Sequence, residues 1–289
     1  MNSEIMFRLC TLLPMAFTAL FGIIITIYSF FKIRTIKKFQ TPFGFLMQAF
    51  FSNIFLYFFV ILIWLLLRIF LNINTFIENS SHYFGSVMIF SWYFIQMITV
   101  TISINRFIAI SIPIYYRLHF TIEMTKISVG IIFCITIFLS IISLIDNCGM
   151  KFSTITLTWH YPKTVCGRIY SYWLQFIGSL CILLINLMFD ILTLILLIYR
   201  KKHSILPLPK LEKSATIKTS CCFRQDVLFF CQSFLQNINA LLIVISINFF
   251  TKLIKSLYGK FYFTTFAWFL SYVMDVVIVI VFNKELRKI

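Results

Sequence analysis

Arg106 and Asp275 stand out in this 289-residue chain because each places an ionisable group inside, or at the end of, a long apolar run. A charge in hydrocarbon costs free energy unless it is paired, hydrated or neutralised, so such residues mark places where pairing and hydrogen bonding can switch. The spacing around Arg106 is specific. Asn105 precedes it, Ala109 and Ile110 follow three and four residues on, Pro113 comes after seven and Tyr116 after ten. Upstream, Trp92, Gln96, Thr99, Ser103 and Arg106 are separated by four, three, four and three residues, which lines them along one helical stripe. Other apolar runs carry Asn186, Asp190 and Thr193; Gln232, Gln236, Asn239 and Ser246; and Trp268, Ser271 and Asp275. Together these stripes predict an enclosed polar seam, each interhelical hydrogen bond contributing roughly 0.6 kcal/mol. Catalysis is not expected. His82, His119, His160 and His203 are scattered over loops, with no HxxxH or HExxH spacing to hold a metal, and no cofactor is implied.

The elements that position these residues follow from composition. With 61% hydrophobic, 19% aromatic and 12% charged residues, the chain is too apolar for a solvated surface and belongs in a lipid bilayer. A helix crosses a ~30 Å hydrocarbon core with about 20 residues. Seven runs reach that length, near 9–31, 43–67, 84–105, 127–145, 169–199, 226–250 and 261–282. The expected fold is all-α: a polytopic seven-transmembrane helix bundle forming a single domain over 1–289. Most of the 25 Lys and Arg fall in loops on one side if the N-terminus is outside, from Lys32 to Lys38, Arg106 to Lys126, Arg200 to Arg224 and Lys284 to Lys288. The net charge of +16 then reads as orientation plus attraction to anionic lipid, and not as nucleic-acid binding.

Loop residues add smaller signals. Asn79-Ser80-Ser81 is an N-glycosylation sequon in a segment expected outside. Cys148 and Cys166 share the second outer loop, where a bridge between them and a pair of free thiols are both compatible with the spacing. Cys221 and Cys222, beside the sixth run, can carry palmitoyl groups or stay unmodified. Cys10, Cys134, Cys181 and Cys231 read as small core fillers. The segment MNSEIMFR lacks the features of a cleaved leader, so the first run is expected to act as an uncleaved anchor. Of six prolines only Pro14 falls inside a run, leaving the fifth, sixth and seventh helices without proline kinks.

The stretch TISINRFIAISIPIYYR, Thr101 to Arg117, is similar to the end of helix three and the second intracellular loop of rhodopsin-like G-protein-coupled receptors. Asn105, where that family usually carries Asp or Glu, gives an Asn-Arg pair that resembles the nematode serpentine chemoreceptors, notably the gamma and V classes. Asp275 to Arg287 resembles the end of helix seven, with Asp275 in place of the Asn of Asn-Pro-x-x-Tyr, Val276 and Val279 in place of Pro and Tyr, and Asn283-Lys284-Glu285 opening a short eighth helix. Other family positions differ: Phe58 stands where an Asp is usual, and no thiol lies near Gly85 to receive the customary loop disulfide.

The resemblance implies a receptor in the plasma membrane that binds a small-molecule ligand and signals through a heterotrimeric G protein. Asn105, Arg106, Pro113, Tyr116 and Asp275 would serve activation and coupling. Because Asn105 cannot form an ion pair with Arg106, any lock on the arginine must come from elsewhere. Aromatic and polar residues in the outer half could hold the ligand: Trp92, Tyr93 and Gln96, Trp173, Asn239, and Trp268 and Tyr272. The alternative is a small membrane transporter or channel subunit, although the chain shows no inverted repeat.

Overall fold

The computed structural model describes residues 3–71, 74–145, 148–153, 156, 158–204 and 213–287, with side chains for all of these except 3–9, 38, 66–79, 201–226 and 252. Helices α1 (Ser3–Thr35), α2 (Pro42–Leu71) and α3 (Asn74–Ser111) are followed by the short α4 (Pro113–His119) and by α5 (Ile122–Leu144). A hairpin of β1 (Lys151–Ser153) and β2 (Thr158–His160) leads into α6 (Val165–Ile169) and α7 (Ser179–Ser204). Next come α8 (Lys213–Ile245), α9 (Thr251–Leu253), α10 (Leu257–Phe261), α11 (Ala267–Phe282) and α12 (Lys284–Arg287). Among the described residues, seven helical stretches are long and apolar enough to cross a membrane: Cys10–Thr35, Pro42–Leu65, Ser80–Ser111, Ile122–Leu144, Val165–Arg200, Val227–Phe250 and Leu257–Phe282. The chain is therefore a multi-pass, all-α membrane protein with the expected seven spans.

Helices dominate because hydrocarbon offers no partner for a free amide or carbonyl, so each span must close its own backbone bonds. Where a span breaks that ladder, another group repairs it. Pro14 has no N–H to give the carbonyl of Cys10, and the Tyr262 hydroxyl of the seventh span donates to that carbonyl at 3.0 Å. The fifth, sixth and seventh spans each contain a π-helical segment, at Tyr170–Gly178, Ser246–Phe250 and Tyr262–Phe266. The Ser246 hydroxyl donates to the Phe263 carbonyl, joining the last two of these segments. These wider turns stand in spans that contain no proline, and nothing in the apolar pattern signals them.

The core is aromatic. Tyr57, Phe58, Phe269 and Tyr272 are almost wholly buried between the second and seventh spans, with Tyr57 and Tyr272 ring centroids 4.1 Å apart and Phe58 edge-on to Phe269 at 5.1 Å. Gly22 lets the first span approach Phe58, since a Cβ there would stand 2.5 Å from the ring. The third span is the most enclosed of the seven. At one end of the bundle, Cys148 and Cys166 form a disulfide (Cα–Cα 4.9 Å) that anchors the hairpin loop to α6. In the hairpin Phe152 pairs with Trp159, and both rings pack on Trp64 at 4.5 and 5.5 Å. Gly85 lies against the Met150 carbonyl, so the loop rests directly on the third span.

Two expectations need correction. Cys10, Cys134 and Cys181 are exposed on the outside of the bundle and do not fill its core; Cys231 is half-buried. The reason is physical: a lipid-facing surface is as apolar as the interior, so a small apolar residue is stable on either side. Asn79, expected in a loop, has its backbone within α3. Its side chain, like those of Cys221 and Cys222, lies outside the described residues, as do Pro207, Pro209 and Lys210.

Candidate functional site

Arg106 sits near the end of the third span opposite the disulfide. Its Nη1 donates to the Phe229 carbonyl of the sixth span at 2.7 Å. The guanidinium also lies over two rings, Phe43 of the second span (5.2 Å) and Phe229 (5.0 Å), which are themselves 5.4 Å apart. Arginine suits such a seat because its planar, weakly hydrated cation stacks on aromatic faces while still donating in its own plane. The restraint on Arg106 thus includes a backbone carbonyl and two phenylalanines. Neither ring could be singled out among the chain's 36 phenylalanines.

Beside this seat is a cavity of about 210 Å³, lined by Asn105, Arg106, Ala109, Ile110 and Tyr116 together with Asp190 and Thr193. The spacing read from the sequence therefore converges on one wall. Pro113 is not part of it; it begins α4, where its missing N–H costs nothing. Burial raises the Tyr116 phenol above its ordinary pKa, partly offset by a hydrogen bond from Asn105, so Tyr116 stays neutral at physiological pH.

One turn deeper, Asp190 joins three spans. Its carboxylate accepts from Ser103 (2.8 Å) of the third span, and from Ser233 (2.8 Å) and Asn237 (2.9 Å) of the sixth. Asn237 in turn accepts from Asn186 at 2.6 Å. In the sequence Asp190 is one member of the polar seam, and nothing there marks it as the junction. Its partners lie 43 to 87 residues away and become neighbours only in three dimensions.

On the seventh span, Asp275 accepts from Asn239 at 2.9 Å, and the same amide reaches the Ser271 carbonyl at 2.9 Å. Asn283 at the end of the span donates to Gln232 at 2.9 Å. Asp275 and Asn239 line a second cavity with Trp92, Gln96 and Tyr272, of only about 30 Å³. Gln96 is 4% exposed, and among the described residues neither atom of its amide has a hydrogen-bond partner. Trp268 packs edge-on against Trp92 at 5.8 Å, and Trp92 donates to Ser179 at 2.9 Å. Five of the seven expected ligand residues, Trp92, Gln96, Asn239, Trp268 and Tyr272, are thus brought together.

The other two are not. Tyr93 is buried on a different face of the third span, beside Tyr170 and Tyr161. Trp173 is 61% exposed, turned away from the bundle inside the π-helical segment of the fifth span, and cannot face this cavity. Its phase relative to Asn186, thirteen residues on, already corresponds to about 220° around an ideal helix. Among the described residues no cluster of His, Cys, Asp and Glu could hold a metal ion.

No curated protein matches the chain. The family model for the serpentine type 7TM GPCR chemoreceptor Srx matches residues 17–283, from the first span to the end of the seventh. Srx is a nematode serpentine chemoreceptor family, as the Asn105-Arg106 pair suggested, though a different class from the gamma and V classes it most resembled. With seven membrane-spanning helices and a match over nearly its whole length, the chain belongs to the Srx family of serpentine seven-transmembrane G-protein-coupled chemoreceptors.

Proposed function

We propose that the chain is a single-domain chemosensory receptor of the plasma membrane, with its N-terminus outside and Arg106 facing the cytosol. A small molecule binds between the third, sixth and seventh spans, and a heterotrimeric G protein is engaged at the opposite end. The observation that carries this reading is the attachment of Arg106 to the sixth span through the Phe229 carbonyl and the rings of Phe43 and Phe229. A bundle tied in this way is closed, and opening it requires the sixth span to move away from the third.

The ligand half of the reading rests on Gln96. A buried amide with neither atom partnered is costly, and a ligand carrying both a donor and an acceptor would relieve that cost. The 30 Å³ beside it holds little more than one water, so a ligand must widen the space between Trp92, Trp268 and Asn239. Widening there moves the sixth and seventh spans, which links occupancy to Arg106. The ligand shifts the balance only through its difference in affinity for the two arrangements.

The test is a calcium or cAMP screen of cells expressing the chain against volatile and water-soluble odorants, with Arg106→Ala and Gln96→Leu as controls. Arg106→Ala is expected to abolish signalling while surface expression persists, and Gln96→Leu to weaken the response to polar ligands. A response unchanged by Arg106→Ala refutes the coupling role, and ligand-driven solute flux in reconstituted vesicles would favour transport instead.

A further inference from the structure

Arg106 and Asp190 carry opposite charges, and each is bonded to the sixth span. Arg106 Nη1 donates to the Phe229 carbonyl at 2.7 Å, while Asp190 Oδ2 accepts from Ser233 at 2.8 Å and from Asn237 at 2.9 Å. Phe229, Ser233 and Asn237 follow one another at steps of four, so they share one face of that span, Ser233 one turn and Asn237 two turns from Phe229. The other carboxylate oxygen, Oδ1, accepts from Ser103 of the third span at 2.8 Å and does not depend on the sixth.

The two side chains meet the same space. Both line the cavity of about 210 Å³, no other described residue on its wall is charged, and their opposite charges already attract across it. Ser103 precedes Arg106 by three residues, so the carboxylate it binds lies about one turn, or about 5.4 Å, along the third span from the arginine. Thr193, also on that wall, gives its one hydroxyl proton to the Phe189 carbonyl at 2.8 Å and is no substitute donor.

A swing of the sixth span carries off the Phe229 carbonyl and, one and two turns along, the Ser233 and Asn237 donors. In a single motion a cation loses an acceptor and a buried carboxylate loses two of its three donors, which is costly for each alone. We infer, on the reading that the bundle opens by movement of the sixth span, that Arg106 Nη1 then passes from the Phe229 carbonyl to Asp190 Oδ2. Asp190 is thus the positioning residue that holds the arginine in the open arrangement. A charge-assisted bond between them offsets both losses, and Ser103 keeps the carboxylate against the third span throughout.

The full chain with Phe43→Leu and Phe229→Leu, which loosen the seat of Arg106, is reconstituted in nanodiscs with spin labels on the third and sixth spans, and pulsed electron resonance reads the population at long distance. Asp190→Asn is expected to lower that population by about threefold, the change that one average interhelical bond makes, while Asp190→Glu, which keeps the charge, retains most of it. With Arg106→Gln already present, Asp190→Asn should no longer lower it. Asp190→Ser is the second neutral variant if the asparagine protein does not fold. A carboxylate that serves only the closed bundle predicts the opposite sign, because neutralising it then frees the sixth span. A raised or unchanged population, or an equal loss with Arg106→Gln present, therefore overturns the exchange and leaves the opening motion in place. The absence of any long-distance population in all of these proteins overturns the opening motion itself, and the exchange with it.

Discussion

Replacing Asp190 by alanine tests whether the junction between the third, fifth and sixth spans holds the bundle together. The substitution removes the acceptor for Ser103, Ser233 and Asn237, three interhelical bonds of 2.8, 2.8 and 2.9 Å. At roughly 0.6 kcal/mol for an average interhelical bond, and somewhat more for buried donors left unmet, the expected loss is about 2 kcal/mol. That is a change of about thirtyfold in the folded-to-unfolded ratio. Asp190→Asn keeps the volume and one acceptor oxygen and should cost less than about 1 kcal/mol. The assay is unfolding by SDS titration in mixed micelles, followed by tryptophan fluorescence. Double-mutant cycles with Ser103→Ala and Ser233→Ala then isolate the pairwise terms. The reasoning fails if the alanine variant is no less stable than the asparagine variant, or if both coupling energies are indistinguishable from zero.

Other consequences are as direct. Phe43→Leu with Phe229→Leu removes both aromatic faces from Arg106, at about 0.5–2 kcal/mol each. Spin labels on the third and sixth spans near Arg106 should then show a larger population at long distance, and an unchanged distribution would count against the aromatic seat. Reduction of the Cys148–Cys166 bridge, which closes a short loop, should lower stability by about 3 kcal/mol and loosen the hairpin from Trp64. Equal melting temperatures with and without reductant would show that the hairpin is held by its rings alone. Gly22→Leu should cost about 1–3 kcal/mol by forcing the first span off Phe58. A melting temperature equal to that of the unmodified chain would show that the two spans have room to spare.

The seven spans were legible because hydrocarbon thickness imposes a length that few other constraints mimic. Their limits were not: the third, expected at 84–105, lies within a helix that runs from Asn74 to Ser111, since polar residues at the membrane edge extend a helix without adding to the apolar run. Phase along the helix recovered the stripe from Trp92 to Arg106 and the meeting of Asn239 with Asp275. The same logic, applied to position 173, turns Trp173 away from the face that carries Asn186. Phe43 and Phe229 were hidden for another reason. In a chain where both core and lipid face are apolar, residue type no longer separates inside from outside, so the aromatic seat of Arg106 and the exposure of three cysteines became visible only with the fold.

Pro14 and Tyr262 do not bond to each other, yet they should behave as a thermodynamic pair, because the proline creates the vacancy at the Cys10 carbonyl that the phenol fills. No exchange of the Cys10 side chain can remove that acceptor, since it belongs to the main chain. Tyr262→Phe should therefore weaken the protein while Pro14 is present and matter far less once Pro14→Ala restores the missing amide. Two positions at opposite ends of the chain would then drift together over generations, linked by an atom that neither of them supplies.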